Sequence, residues 1–513
     1  MKYYIGFDCG TQSTKTVIYS GDAECVAEHI IPSKRTVPAP NWLDMDADHY
    51  VESVREGIRQ CLKKSGINPS DVRAICGDGI ICGIVGIGPD GKAITPYITY
   101  LDGRTIQDAQ WIEKNIEPFW AAECGNRLMQ SWFPPMFARW FLKNDKAFQE
   151  RGVKVMNNGP YVLSRLANLP AEEAFTDWAT MSGWVIGFDA VKKRWSERQM
   201  EALGIPMRIL PKIVKPWDIV GHLCDEEARN TGLPAGVPIV AGAGDTMQSL
   251  LGCGLVDPGM AADVAGTAAM FAVVTDGINE KLTRNTNLIF NTCTLPDTYM
   301  YWGIIRAGGL SLSWFRDNVC SRGGDASFYS EIQEKAEKVP AGSNGTLFIP
   351  YLTGGESGGN LEHASGCFLN MTTNTEQGEM WRAVMESIAY EYLEIIDKVR
   401  ENGIKLDSIV ITEGGSKNDL WNQIKSDILD VRVSTMKRTE GAVMSNIAVA
   451  AYAVGDSPDI RSAMKTWIVP KKTYEPNAAN TAYYRKVYDV QRTVLSQTMP
   501  ATFKLIKPLQ SKE

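Results

Sequence analysis

Two aspartates sit where a reacting group could come close to the backbone. Asp8 ends an apolar run, Tyr3-Tyr4-Ile5-Gly6-Phe7-Asp8. Cys9-Gly10-Thr11-Gln12-Ser13-Thr14-Lys15 follows, with a β-rich return through Val17 and Ile18. That pattern predicts a hairpin whose tip offers hydroxyls and free N–H groups beside one carboxylate. Such a tip suits phosphate oxygens, and the carboxylate suits the water shell of a metal ion. Asp245 lies in Gly242-Ala243-Gly244-Asp245-Thr246. Small neighbours leave room for a substrate to approach a carboxylate able to act as a general base. A plainer reading makes Asp245 a turn aspartate that caps residues 246–251. The two sites together point to phosphoryl transfer, in which a protein mainly positions reactants and neutralises charge.

The elements that must hold these residues read as alternating strands and helices, hence an α/β chain. Residues 47–65 put Tyr50, Val51, Val54, Ile58, Cys61 and Leu62 on one helical face, stopped by Gly66. Val72–Ile75 reads as a buried strand. Residues 376–401 carry the strongest helical pattern, with Trp381, Val384, Met385, Ile388 and Tyr392 in step and Thr375 as the expected cap. Ser408–Thr412 reads as a strand running into Glu413-Gly414-Gly415-Ser416, and a helix is expected over Asp419–Leu429. That glycine pair is either a plain strand-to-helix loop or a place where a nucleotide meets bare backbone. A second Gly-Thr turn, Asp263-Val264-Ala265-Gly266-Thr267-Ala268-Ala269-Met270, echoes the first hairpin. A duplicated fold around a nucleotide cleft would produce that echo. The expected boundary lies near Gly252–Gly259, giving domains over 1–250 and 251–513. Gly86-Ile87-Gly88-Pro89-Asp90-Gly91 satisfies a dinucleotide pattern, but Pro89-Asp90-Gly91 is a turn and Lys92-Ala93-Ile94 continues as strand, where that motif needs a helix.

The bulk numbers narrow the classes. The 513 residues suffice for two or three domains with buried cores. A formal charge of -7 leaves no basic footprint for nucleic acid, and the Lys212–Lys215 cluster reads as a solvated loop. No stretch is long and apolar enough to cross a bilayer, and no signal peptide stands before the strand starting at Lys2. The 11 cysteines carry no CxxC pair, which fits reduced thiols in a cytoplasmic protein. His29, His49, His222 and His363 leave few candidates for histidine chemistry.

In the order of its motifs the chain resembles the FGGY family of carbohydrate kinases, in its xylulokinase-like branch. Asp8–Lys15 is similar to that family's first phosphate loop, Gly242–Thr246 to its catalytic-aspartate loop and Gly266-Thr267 to its second phosphate motif. Gly414-Gly415-Ser416-Lys417 with Trp421 resembles its adenosine motif. Pro350-Tyr351-Leu352-Thr353-Gly354-Gly355-Glu356 resembles a substrate-side loop, and Gly366–Glu386 the second family signature. The resemblance implies two actin-like (ribonuclease H-like) ATPase domains with a catalytic cleft between them, closing on ATP, Mg²⁺ and a sugar. It implies that Asp245 is catalytic and that Asp8 places the metal through water. It implies nucleotide contacts at Thr11, Gln12, Ser13, Lys15, Gly266, Thr267, Gly309, Gly414, Gly415, Ser416 and Asn418. Family members often pair, so a homodimer is carried over, although no residue identifies an interface.

The departures bear on substrate. Gly79-Ile80-Ile81-Cys82-Gly83 stands where the branch commonly has Gly-Gln-Met-His-Gly, and Tyr100-Leu101-Asp102-Gly103-Arg104 where it has Trp-Asn-Asp-Gly-Arg. Phe137 replaces a usual lysine, and Gly355-Glu356-Ser357-Gly358-Gly359 replaces Gly-Glu-Arg-Thr-Pro. The substrate side is therefore expected to involve Asp78, Ile81, Cys82, Asp102 and Asp245. Either the substrate is a ketose or polyol less polar than D-xylulose, or neighbouring loops supply the missing contacts. The plain alternatives are that Asp102 pairs with Arg104 and that Asp78 caps a turn. The expected activity is ATP-dependent phosphorylation of a ketopentose-type sugar. The rivals are a polyol kinase of glycerol or erythritol type and a non-catalytic ATP-binding switch.

Overall fold

Residues Tyr4–Phe7 are all buried, which an apolar run achieves by lying inside a sheet rather than on its edge. In a computed structural model of the chain they form β1 (Tyr3–Cys9), which returns antiparallel as β2 (Ser13–Ser20) and continues to β3 (Cys25–Pro32). The structure describes residues 1–267, 269–305, 308–354, 361, 363–438 and 441–509. Gly355–Gly359 of the substrate-side loop, and Ser511-Lys512-Glu513, lie outside them.

The helix predicted over 47–65 is α1 (Ala47–Ser65). Asp46 caps it by accepting from the His49 N–H, and Gly66 ends it at φ +63°, a left-handed turn that glycine adopts without strain. It buries Tyr50, Val51, Val54, Ile58 and Cys61 and leads to β4 (Val72–Gly79), parallel to β1. β5 (Ile219–His222) and β6 (Pro238–Val240) complete a sheet ordered β5-β6-β4-β1-β2-β3. β6 is parallel to β4, and β5 is antiparallel to β6. Four residues separate β6 from α2 (Asp245–Gly252).

The second Gly-Thr turn joins β7 (Met260–Ala265) to β8 (Ala269–Thr275) as another antiparallel hairpin. β9 (Ser408–Thr412) lies parallel to β7, β10 (Arg432–Met436) parallel to β9, and β11 (Pro470–Tyr474) antiparallel to β10. The pattern of the first sheet therefore recurs: a hairpin, two parallel strands and an antiparallel edge. The remaining helices used below are α3 (Gln377–Glu401), α4 (Asp419–Leu429) and α5 (Gly441–Ala453).

The residues gather into two compact units that are interlaced along the chain. One takes Met1–Pro258, Val274–Tyr301 and Arg438–Val469. The other takes Gly259–Val273, Trp302–Lys437 and Pro470–Glu513. Among the described residues no disulfide joins any of the eleven cysteines. Among the described residues no helix is long and apolar enough to cross a membrane.

Some local expectations are corrected. The cap of α3 is Glu376, not Thr375: its side chain accepts from the Glu379 N–H while Glu379 accepts from the Glu376 N–H. This reciprocal box satisfies two donors where a threonine one residue earlier would reach neither. Lys212–Val214 is a short strand against Phe175–Asp177 rather than a solvated loop. Pro89-Asp90 does turn, and Ala93 makes a single bridge to Ile87 with no helix following.

Candidate active site

The tip of the first hairpin is tied down by its glycine and leaves two donors open. Gly10 N–H donates to Ser13 O at 3.0 Å, and Gly10 O accepts from Ser33 Oγ and Tyr50 Oη, each at 3.0 Å. The N–H groups of Thr11 and Gln12 donate to no atom among the described residues. Thr11 Oγ1 lies 3.2 Å from Tyr100 Oη. Lys15, opposite Asp8 in the register, pairs with Glu28 at 3.0 Å. A lysine held by one half-exposed carboxylate can swing to an incoming phosphate at little cost. Ser13 opens β2 and is half-buried.

Asp8 lies near the end of β1, half-buried, and its Oδ1 makes no hydrogen bond among the described residues. Burial pushes its carboxyl up, while a hydrogen bond with Asp78 and the charge of Lys15 pull it down. A bare carboxylate oxygen beside open N–H groups has the donor chemistry of a Mg²⁺ site, which commonly takes one or two carboxylates plus water and phosphate. Among the described residues no group of three or more His, Cys, Asp or Glu side chains could hold a metal by itself.

Asp245 is the first residue of α2, after Gly244, so the cap position it was weighed for belongs to the glycine. Its Oδ1 accepts from Thr246 N–H at 2.6 Å and Thr246 Oγ1 at 3.1 Å. The side chain is half-buried, and burial pushes its carboxyl up to about 7, helped by the charge of Asp8. Hydrogen bonds from Thr246 and from the Ile81 backbone work the other way. A carboxylate titrating near neutrality is suited to taking a proton and releasing it again. Gly244 is required here: a Cβ would stand 1.9 Å from Ile81 Cγ2.

Asp78 is fully buried on β4, directly opposite Asp8. The turn-capping alternative is thereby excluded. Its Oδ2 accepts from Asn446 Nδ2 of α5, and Oδ1 accepts from no donor among the described residues. Burial and the adjacent Asp8 carboxylate push Asp78 well above the usual range. Asp102, also expected on the substrate side, is committed elsewhere. Its oxygens accept from Arg104 Nε and Nη2, both at 2.8 Å, and from Leu43 N–H at 2.5 Å. Arg104 in turn bonds Asp44 and stacks 4.5 Å from the Trp42 ring and 4.8 Å from the Trp140 ring. The bidentate pair uses both carboxylate oxygens, so Asp102 frames the loop.

Ile81 and Cys82 are buried beside Asp245. The Cys82 thiol is occupied, 3.5 Å from Gly183 O. Asn157 could have replaced the missing polar groups, but its Nδ2 donates to Ile81 O and Gly83 O, each at 2.9 Å. Phe137 is fully buried and Leu101 is exposed.

The second unit holds a cavity of about 870 Å³. Gly266, Thr267, Gly309, Gly414, Gly415 and Asn418 line it, six of the expected nucleotide positions. Ser416 does not; its hydroxyl turns back to Glu413 O at 2.7 Å. Glycine is needed at 309 and 415. A Cβ would meet Gly266 O at 2.6 Å in the first case and Ala265 Cβ at 2.4 Å in the second. Asn418 caps α4 through Trp421 N–H at 2.9 Å. Tyr329, Gln333 and Trp381 also line the cavity and went unrecognised in the sequence. Among the described residues Gln333 Oε1 and Trp381 Nε1, both buried, find no hydrogen-bond partner. An acceptor and a donor left open beside aromatic rings fit the edge and face of a nucleotide base.

A hairpin tip with open donors, an aspartate with a raised carboxyl and a glycine-lined cavity are parts that phosphoryl transfer can use. The sequence matches the FGGY family of carbohydrate kinases over residues 3–252 for the N-terminal domain and 261–454 for the C-terminal domain. The chain belongs to the FGGY family of carbohydrate kinases. Among its relatives, a xylulose kinase of Staphylococcus xylosus is 24% identical over 96% of this chain and 100% of its own. Glycerol kinase 2 of Saccharolobus solfataricus is 26% identical over 92% of each chain. The crystal structure of ligand-bound xylulose kinase from Lactobacillus acidophilus superposes with a TM-score of 0.84 at 23% identity, covering 97% of this chain and 99% of that one.

Proposed function

We propose that this sugar kinase uses Asp245 as the base that activates a hydroxyl of a small ketose-type substrate. The observation that carries the reading is the carboxyl of Asp245, lifted to about 7 at the head of α2. As the hydroxyl oxygen bonds to the γ-phosphorus of ATP, its proton passes to Asp245 and ADP leaves with the electron pair of the broken P–O bond. The open N–H groups of Thr11 and Gln12 and the side chain of Lys15 hold phosphate oxygens. The second unit's cavity takes the nucleoside, with Gly414 and Gly415 leaving room for it. Mg²⁺ bound through water at Asp8 would neutralise charge on the phosphates.

The substrate is less hydroxylated on one side than D-xylulose. Ile81 and Cys82 flank the base, Asp102 and Asn157 are engaged within the protein, and Asp78 has one oxygen on Asn446. A hydroxyl buried there without a partner costs about 1–3 kcal/mol. A glycerol kinase among the relatives, a lesser match than the xylulose kinases, keeps a polyol as the second reading. ADP release across ketopentoses, ketohexoses, deoxy sugars and C3–C6 polyols separates the two. A deoxy or shorter acceptor outrunning D-xylulose is expected; D-xylulose as the best acceptor overturns the less polar pocket. No response from any acceptor above the blank overturns the catalytic reading.

A further inference from the structure

Asn446 is fully buried, and it joins three segments that are far apart in sequence. Its Nδ2 donates to Asp78 Oδ2 on β4 and to Phe7 O on β1, the latter at 3.2 Å. Its Oδ1 accepts from Gln248 Nε2 at 2.6 Å. Gln248 is fully buried and stands one turn into the helix that Asp245 begins. Gln248 is itself fixed: Thr294 Oγ1 donates to its Oε1 at 3.1 Å, and Ser445 Oγ donates to its carbonyl at 2.8 Å. Two glycines let α5 come this close. A Cβ on Gly252 would stand 2.1 Å from Gly441 O, and one on Gly6 2.7 Å from Val443 Cγ1.

We infer that Asn446 and Gln248 are positioning residues, an amide pair that aims Asp8 through Asp78 on one side and Asp245 through α2 on the other. Each amide has one flat donor-acceptor fork, so the pair has a single arrangement in which both forks are used. Asp78 stands between Asn446 and Asp8, and the carbonyl of Phe7 precedes Asp8 directly. A tilt of either amide therefore moves Asp8. Gln248 carries the same constraint along one helical turn to Asp245. Groups that orient a reacting residue from behind typically change activity by about 10–100-fold when removed.

The inference rests on the reading of Asp8 and Asp245 given above, and its test does not depend on it. Crystal structures of Asn446→Ala and Gln248→Met are compared with the unaltered chain. The methionine keeps length and removes both hydrogen bonds. Rotated Asp8 or Asp245 side chains in both variants are expected; carboxylates unmoved in either overturn the inference. Kinetics with ATP and the strongest acceptor of the panel give the second readout. The expected result is kcat lower by about 10–100-fold with both KM values within roughly threefold. An unchanged kcat, or KM raised at constant kcat, overturns the inference. Variants that both fail to fold overturn it too, since the amides would then be structural. A flat panel with rotated carboxylates removes the kinase reading and leaves the positioning intact.

Discussion

The two hairpins occupy the same place in their sheets and carry opposite chemistry. In the first, Asp8 faces Lys15 across the antiparallel register and Asp78 across the parallel one. In the second, the matching position is Val264, with Met270 and Thr412 as its neighbours. The frame is duplicated, and the charge is not. The second hairpin's aspartate comes one residue earlier, at Asp263, where it is buried and bonded by Lys425 and Tyr392, each at 2.5 Å. Its charge is spent inside the protein, and the space beside its Gly-Thr turn is a cavity. The first hairpin thus brings two carboxylates face to face, while in the second the nearby aspartate is neutralised by Lys425 beside a cavity.

The sharpest test of that contrast is Asp245→Asn. It should lower kcat by about 10²–10⁴, the usual worth of a positioned base, with ADP affinity by calorimetry unchanged. Loss of ADP affinity would mean the division of labour is wrong. Asp8→Asn comes next, with kcat down by about a hundredfold, the scale of one lost electrostatic contact. If the reacting carboxylates all lie in the first unit, Val264→Ala at the matching position leaves kcat within about twofold, roughly the reach of a neutral change. Gly415→Val attacks the other copy. Its side chain would press on Ala265 Cβ, 2.4 Å from the first added carbon, so ADP should bind at least about tenfold more weakly, with kcat at saturating ATP little changed. The smallest effect is in pH. In the proposed role Asp245 would take a proton only when ionised, and burial lifts its carboxyl to about 7. Activity at limiting acceptor should therefore climb with pH up to about 7 and level off above it. A flat profile from pH 5 to 8 would remove the base assignment.

Much of this frame was readable in one dimension. Both hairpins, α1 and α4 follow from local patterns: apolar runs, Gly-Thr turns and a glycine stop. The nucleotide cavity was legible where glycine marks a close approach, as at Gly415, and illegible at Gln333 and Tyr329, which look like the exposed side of an ordinary helix. The cap of α3 was missed because the sign of it is the pair Glu376 and Glu379, not the threonine before them. Asp78 and Asp102 were visible as carboxylates, but their partners decide their roles. Arg104 lies two residues from Asp102, so that pairing could be foreseen. Asn446 lies 368 residues from Asp78, and nothing local joins them.

That separation affects how the chain is made. The first unit closes only when Arg438–Val469 is present, because α5 packs under β1 and β4. At about 5–20 residues per second, a ribosome needs roughly 20–90 s to reach Asn446. Until then the nascent chain exposes a sheet face lined by Gly6 and Cys76 and leaves Asp78 without its Asn446 partner. Folding from the N-terminus forward is thereby denied to this half of the molecule. A chain halted at residue 437 should be cut by protease within β1–β4 even though every residue of those strands has already been synthesised.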